Sequence, residues 1–297
     1  MILEGFHQRV VAGTAATLSW QQIGGDGEPA DPGTVTVGVT RADGTVLVAS
    51  GTATSGSTTA ARTYALTAAQ TATLDNLTVT WTASGVALAT TRIDVVAAPW
   101  FSNAELRARE TSLASLTDYP AATIAAARLR IENQIERICH RRFRPGYSFR
   151  TIPASGRPTL VLPAVDVRTV RSAAIYHDLA QSASETLAAG ELAAFPPSPA
   201  GLLHRYANVW QGCWVKVGFE WGLDAPPPDL AKAAMRLLRD DLQQPAATTP
   251  DQAATWNSTD FGWSAVFVTP GVRGAHTSIP WVNEVLDAYM FDEVGMA

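Results

Sequence analysis

The sequence predicts an α+β protein of two domains: a β-sandwich over residues 1–98, then a helical domain with a small antiparallel sheet over residues 99–297. Three observations predict it. Residues 1–97 carry short alternating runs separated by turn dipeptides, with no helical period. Pro99 is followed at once by a helix-start signal. Beyond it, apolar residues recur every three or four positions in several stretches, and period-two runs lie between them. A length of 297 residues fits two domains more readily than one.

In the N-terminal part, Leu18 and Trp20 mark an early strand. Val35 to Val39 alternates, Asp43-Gly44 supplies a hairpin turn, and Val46 to Val48 resumes the pattern. Leu77-Thr78-Val79-Thr80-Trp81 alternates cleanly, Ser84-Gly85 turns, and Ala87 to Val96 forms the next strand. Short strands at this spacing predict a sandwich of immunoglobulin-like topology, with Trp20 or Trp81 as its core tryptophan.

Ser102 with Glu105 three residues later reads as a capping box opening a helix over about 102–116. Pro120, after Thr117 or Asp118, opens a second over about 119–142. Ile124, Arg128, Ile131, Ile135 and Ile138 step by three and four there, so the apolar members form one stripe, and Pro145-Gly146 ends the pattern. Period two then returns. Tyr147 to Thr151, Leu160 to Leu162, Val165 to Val170, Ala174 to Tyr176 and Trp214 to Trp221 read as strands, with 178–205 a Pro-rich excursion. Asp229 caps a helix over about 229–243 that carries Leu230, Ala233, Ala234, Leu237, Leu238 and Leu242 on one face. A long polar arm, Gln243–Ser278, holds one strand, Trp263 to Val268. A last helix spans about 280–291 with Trp281, Val282, Val285, Leu286 and Tyr289.

Composition narrows the function classes. Hydrophobic residues are 46% of the chain, enough for a sizeable core. Charged residues are 16%, well below the roughly 25% typical of soluble domains. The surface must then be built largely from Ala, Thr, Ser and Gly. Interface cores are depleted in charge in the same way, which points to extensive subunit contacts. A net charge of −5 argues against general nucleic-acid coating, which needs a broad basic face. The two cysteines, Cys139 and Cys213, lie in neither a CxxC nor a zinc-type spacing, and a reduced thiol pair is expected. The start, MILEGFHQRVV, lacks a charged n-region and a long apolar stretch, so no signal peptide is expected. No run approaches the ~20 apolar residues of a membrane span.

Reaction chemistry is sparse. Neither a Gly-rich phosphate loop nor a G-x-S-x-G elbow occurs. His7, His140, His177, His204 and His276 are scattered at no ligand spacing. Asp240-Asp241 and Asp224/Asp229 come nearest to carboxylate pairs. Adjacent helix positions point about 100° apart, so Asp240 and Asp241 read as solvated charges. No catalytic residue, metal or cofactor is expected.

Two groups of residues stand out instead. Arg137, Arg141, Arg142 and Arg144, with His140, cluster at a helix end. Either they complement the helix dipole, or they meet a ring neighbour or DNA, where repetition by symmetry turns a modest cluster into a positive belt. Phosphate contacts of that kind carry no sequence preference. Trp256, Phe261 and Trp263 lie in the polar arm, and Trp281 and Tyr289 in the last helix. Aromatics in such places are candidate anchors of a subunit interface.

Residues 102–291 thus run helix, long helix ending in Arg-rich turns, short strands, one strand ending KVGFEWG, a Pro-rich bend, and a helix beginning DLAKAAMRLL. This order resembles the head-to-tail connector (adaptor) proteins of tailed bacteriophages, siphophage type. IENQIERICHRRFRPGYSFRTI is similar to that family's helix-to-strand segment, and LVLPAVDVRTVRSAAIY to its short strand pair. VKVGFEWGLDAPPPDLAKAAMRLLRDDL is similar to its last strand and following helix, and HTSIPWVNEVLDAYMF to the terminal element of actinophage versions. The resemblance covers the C-terminal two-thirds of the chain.

The resemblance implies a non-enzymatic structural protein of the virion neck, assembled in the host cytoplasm. It implies a homo-oligomeric ring, commonly twelvefold, seated on the portal protein and meeting a downstream neck or tail protein. Double-stranded DNA would pass through the lumen without sequence specificity, and no membrane is involved. The interface aromatics would then face a neighbouring subunit or the portal. The added β-domain lies outside the family pattern and is expected outward, as an ornament or a contact to neck or capsid components. A closing ring needs head-to-tail interfaces, and the Gln243–Ser278 arm is expected to order only on assembly. Three other readings stand beside this one. The chain is a stopper or tail-completion protein, or a surface binding module whose β-domain grips a carbohydrate or protein. The third is an enzyme with a cleft around His140, His177 or His204, which needs a cluster of perturbed titratable groups.

Overall fold

The computed structural model describes residues 8–181, 184–206, 208–243, 255–258, 263–266 and 276–291. The fold is α+β, with several sheets and five α-helices among the described residues. Contacts gather the chain into two compact units that do not follow it linearly. One comprises Pro99–Phe143 and the described residues from Ala225 onward; the other comprises the described residues up to Ala98 and from Arg144 to Asp224.

The N-terminal stretch supplies β1 (Gln8–Val11), β2 (Ala16–Gln21), β3 (Val35–Thr40), β4 (Val46–Thr52), β5 (Thr54–Ser55), β6 (Ala61–Leu66), β7 (Asp75–Ala83) and β8 (Val86–Val96). They form two sheets, ordered β1-β8-β7-β3-β4 and β2-β6-β5, antiparallel except for the β1–β8 pair. Alternation decides the buried face. Val35, Val37 and Val39 of β3 and Leu77, Val79 and Trp81 of β7 turn inward, while Thr36, Thr40, Thr78, Thr80 and Thr82 alternate with them, half-buried. Leu18 and Leu66 of the smaller sheet join the same apolar core. Trp81 is buried, and half-buried Trp20 stacks on it with ring centroids 5.9 Å apart. Ser84 and Gly85 take φ values of 50° and 80°, the positive pair that a two-residue hairpin turn between twisted strands requires.

Next come α1 (Asn103–Arg109), a 3-10 turn (Thr111–Leu113) and α2 (Ala121–Cys139). The capping box forms in both halves: the Glu105 N–H donates to Ser102 Oγ (3.1 Å) and the Ser102 N–H to Glu105 Oε2 (2.6 Å). The helix ends at Arg109, short of the expected residue 116. Thr111 and Ser112 are poor helix formers, and the tighter turn that replaces the helix buries Leu113 completely. α2 stops at Cys139 rather than 142, because His140 takes a left-handed conformation (φ 50°) and its N–H donates to the Glu136 carbonyl.

The following residues form β9 (Gly146–Pro153), β10 (Thr159–Val161), β11 (Val167–Tyr176), β12 (Ser184–Thr186), α3 (Ala189–Ala193), β13 (Leu202–His204) and β14 (Trp214–Trp221). β12-β11-β14-β9 is an antiparallel sheet, and β10 pairs with β13 as a separate ribbon. The two short strands expected at 165–170 and 174–176 are one strand, β11. Register shifts against β14 between Val167 and Thr169 and between Val170 and Ser172 absorb the break in period that divided them in sequence. Ala97 N–H donates to the Pro145 carbonyl (3.3 Å) and Asn76 Nδ2 to the Tyr147 carbonyl (3.0 Å), tying β9 to the N-terminal strands within this unit.

Last come α4 (Pro228–Gln243), β15 (Thr255–Ser258), β16 (Trp263–Val266) and α5 (Pro280–Tyr289). Asp229 sits inside the first turn of α4 rather than ahead of it. β15 and β16 pair antiparallel, so the expected strand at 263 has a partner. The rest of the expected arm up to residue 275 lies outside the described residues.

Gly218 is where β14 has no room for a side chain. A Cβ there would collide with the Tyr147 hydroxyl and lie 2.6 Å from Ser172 Oγ. Burial, then the nearby Asp75, pushes the Tyr147 phenol up to about 12, as expected of a ring sealed over the sheet. Gly218→Ala is therefore expected to lower unfolding stability by about 1–3 kcal/mol. Urea denaturation measures this, and a loss under a few tenths would show that the ring has space to move.

Candidate functional site

The sequence directs attention to α2 and its C-terminal end. The helix has two faces of different chemistry. Inward lie Ile124, Ile131 and Ile135, as the stripe predicts, together with Ala127 and Cys139, although Ile138 is only half-buried. The same face also buries Arg128, which the three-four spacing includes, and Glu132 and Glu136, which it does not; the three charges are spaced four residues apart.

These buried charges hold backbone. Glu132 Oε1 accepts the Trp100 N–H (2.7 Å), and Glu136 Oε1 accepts the Phe143 N–H (3.1 Å). Arg128 Nη1 donates to the Phe101 carbonyl (2.6 Å) and to Asn103 Oδ1 (3.1 Å). Burial pulls the Arg128 guanidinium below its ordinary value, and the Glu132 carboxylate opposes the shift. Trp100 meets Phe143 edge-on at 5.4 Å, and Phe143 meets Tyr289 edge-on at 6.0 Å. The Cys139 carbonyl accepts the Phe291 N–H (2.9 Å), so the chain beyond α5 caps α2.

The four arginines do not share one environment. Arg137, in the last turn of α2, is exposed and suits the helix dipole. Arg141 is half-buried beyond the helix end. Arg142 is 2% exposed. Arg144 belongs to the other compact unit, where its Nη1 donates to the Asp224 carbonyl (2.8 Å).

The aromatic candidates divide too. Trp281 is 41% exposed at the start of α5. The Tyr289 hydroxyl donates to Asp229 Oδ1 (3.0 Å) and Oδ2 (3.1 Å); burial first, then that carboxylate, raises its pKa. Trp256 and Trp263 occupy the facing strands β15 and β16. Phe261 lies outside the described residues. Among the strand tryptophans, Trp210 and Trp221 are buried and Trp214 is half-buried.

The titratable groups weighed for chemistry have local partners. Asp240 faces Arg239 (2.9 Å) and Arg236 (3.5 Å), while Asp241 pairs with Arg130. His204 Nδ1 shares a hydrogen bond with Thr159 Oγ1 (3.0 Å), His177 lies 3.9 Å from Glu185, and His276 lies 3.3 Å from Asp287. Among the described residues, no three His, Cys, Asp or Glu side chains are placed to hold a metal ion. No helix described is long and apolar enough to cross a membrane. Cys139 is buried and Cys213 half-buried, both as free thiols. Burial, then Glu136, pushes the Cys139 thiol up to about 12.

No protein-family model matches the chain, and no curated protein matches it significantly. Among solved structures, it is similar to a chain in the neck of an empty GTA particle computed with C6 symmetry. The TM-score is 0.39 and the identity 17%, over 60% of this chain and 82% of that one. A likeness of this size carries no argument about function.

Two outcomes follow from the inner face of α2. Glu132→Ala strands both the Trp100 N–H and the Arg128 charge, and is expected to cost about 3 kcal/mol or more. Glu132→Gln, which keeps an acceptor oxygen, is expected to cost less; equal losses in calorimetry would contradict the backbone contact. Thiol labelling of the folded protein near pH 8 is expected to modify Cys213 and spare Cys139, because the thiolate is the nucleophile. The stability that comes from keeping the Cys139 thiol neutral is complete below its ordinary value of 9.0 and is lost as pH rises towards about 12.

Proposed function

We propose that this chain is a non-enzymatic structural subunit of a tailed-bacteriophage neck. It forms a closed ring on the portal vertex, joins head to tail, and surrounds the passage for double-stranded DNA. The observation that carries the reading is the order of elements: α1, α2, the β9–β14 strands, α4 and α5 follow one another in the order by which the sequence resembles connector proteins. The low charge of 16% supports it, since a surface that packs against copies of itself has little use for solvated charge. So does Trp281, a large aromatic left exposed on a short helix. The ring is twelvefold on this reading, as is common in the family resembled. The β1–β8 region is an outward immunoglobulin-like sandwich in contact with neck or capsid components.

Mass measurement of the purified chain, alone and with the portal protein, tests the reading. The expected result is a monomer alone and a closed ring with the portal. Location by cryo-EM against the tail side instead of the portal would make it a stopper. A chain that stays single with the portal and is absent from the neck of mature particles would rule the proposal out.

A further inference from the structure

The outward face of α2 borders a cleft of about 550 Å³, lined by Arg130, Asn133, Gln134, Arg137, Ile138 and His276. All six residues belong to one compact unit. Five of them carry side-chain N–H donors, and Ile138 is the single apolar member. Arg130 and Arg137 are seven residues apart, so they lie on the same side of the helix about 10 Å from one another along its axis. Arg137 is exposed, and the Arg130 side chain is 62% exposed. Asn133 and Gln134 lie between them. Two carboxylates border this row: Asp241, paired with Arg130, and Asp287, 3.3 Å from His276.

The chemistry of the lining selects the occupant. A protein segment binds through an apolar or aromatic anchor in a dry pocket, and a single half-buried isoleucine does not provide one. A phosphodiester backbone is held by guanidinium and amide donors along a line, which this row supplies. We infer that the cleft binds the phosphate backbone of double-stranded DNA, with Arg130 and Arg137 each contacting a phosphate and Asn133 and Gln134 donating between them. The inference rests on the neck reading for the source of the DNA. It assigns the contact to the outer row of α2, whereas the buried Arg142 has no open path to a duplex. Asp241 tunes the site, since it both occupies Arg130 and repels phosphate. One copy makes few contacts and binds weakly; a ring repeats the row and holds DNA without stopping at any sequence.

The test uses the full chain and a fluorescent duplex of mixed sequence, read by anisotropy from low to physiological salt. Wild type is expected to bind at low salt and to release the duplex as salt rises. The double variant Arg130→Gln/Arg137→Gln is expected to bind much more weakly, with the slope of log K against log salt reduced by about 1.8, the loss of two phosphate contacts. Asp241→Asn is expected to bind severalfold more tightly. The Arg130 side of the Arg130–Asp241 pair is 62% exposed and Asp241 31%, so the solvent-screened pair contributes little to stability and the variants are expected to fold, which a thermal melt checks. Absent binding by wild type at low salt overturns the inference, and so does an unchanged affinity in the double variant. Displacement of the duplex by polyglutamate at equal charge would assign the cleft to an acidic protein segment and overturn it equally. Mass measurement of the same variants with the portal separates the two claims. A ring that forms while DNA affinity is insensitive to both arginines removes the cleft alone; DNA binding that responds as expected in a chain that never forms a ring removes the neck reading.

Discussion

The helical unit depends on two buried carboxylates. The chain first enters this unit at Pro99, leaves it at Phe143 and returns at Ala225; next to the first two crossings a backbone N–H is buried where water cannot serve it. Such groups need an acceptor inside the protein. Glu132 and Glu136, one helical turn apart on α2, supply it to Trp100 and Phe143. Burying charge is costly unless it is hydrogen-bonded and balanced. The balance comes from the same helix: Arg128 lies one turn before Glu132 and holds the Phe101 carbonyl. One helix face thus holds backbone beside two of the points at which the chain changes unit.

That arrangement separates the duties of α2. Its inner face is spent on apolar packing and on holding backbone, so its buried charges have no remaining role outside the unit. Its outer face carries exposed arginines and amides with few structural duties. Arg137, in the last turn of α2, is exposed, whereas Arg142, five positions on and beyond the helix end, is buried.

The β-rich unit solves a different problem with little charge. Threonines alternate with the buried valines of β3 and β7, so the outer surface of that sheet is polar without lysine or glutamate. Charge enters as pinned pairs. Asp94 is fully buried and lies 3.3 Å from the Arg9 guanidinium. Asp75 accepts from Arg41 (2.6 Å) and from the Ala42 N–H (3.3 Å), closing the end of the β3–β4 hairpin. A fold built this way leaves its sheet faces polar but weakly charged.

The sequence by itself determined the periodic elements. Alternation fixed β3, β7 and β14, and three-four spacing fixed α2, α4 and α5 to within a few residues. The Ser102–Glu105 capping box and the Ser84-Gly85 turn were also legible, because each depends on atoms only a few bonds apart. Only tertiary structure decided the rest. α1 stops early so that Leu113 can fill the core, and β11 runs on through a register shift because β14 lies beside it. Arg128, Glu132 and Glu136 turn inward because buried backbone at Trp100, Phe101 and Phe143 awaits them, and their partners lie 7 to 32 residues away. Arg137 stood out in sequence as a candidate contact, but the same distance problem hid Arg130, which looks like an ordinary helix charge until His276 comes to line the same cleft. Local pattern specifies which face of an element is apolar; it does not specify which distant atoms that face will meet.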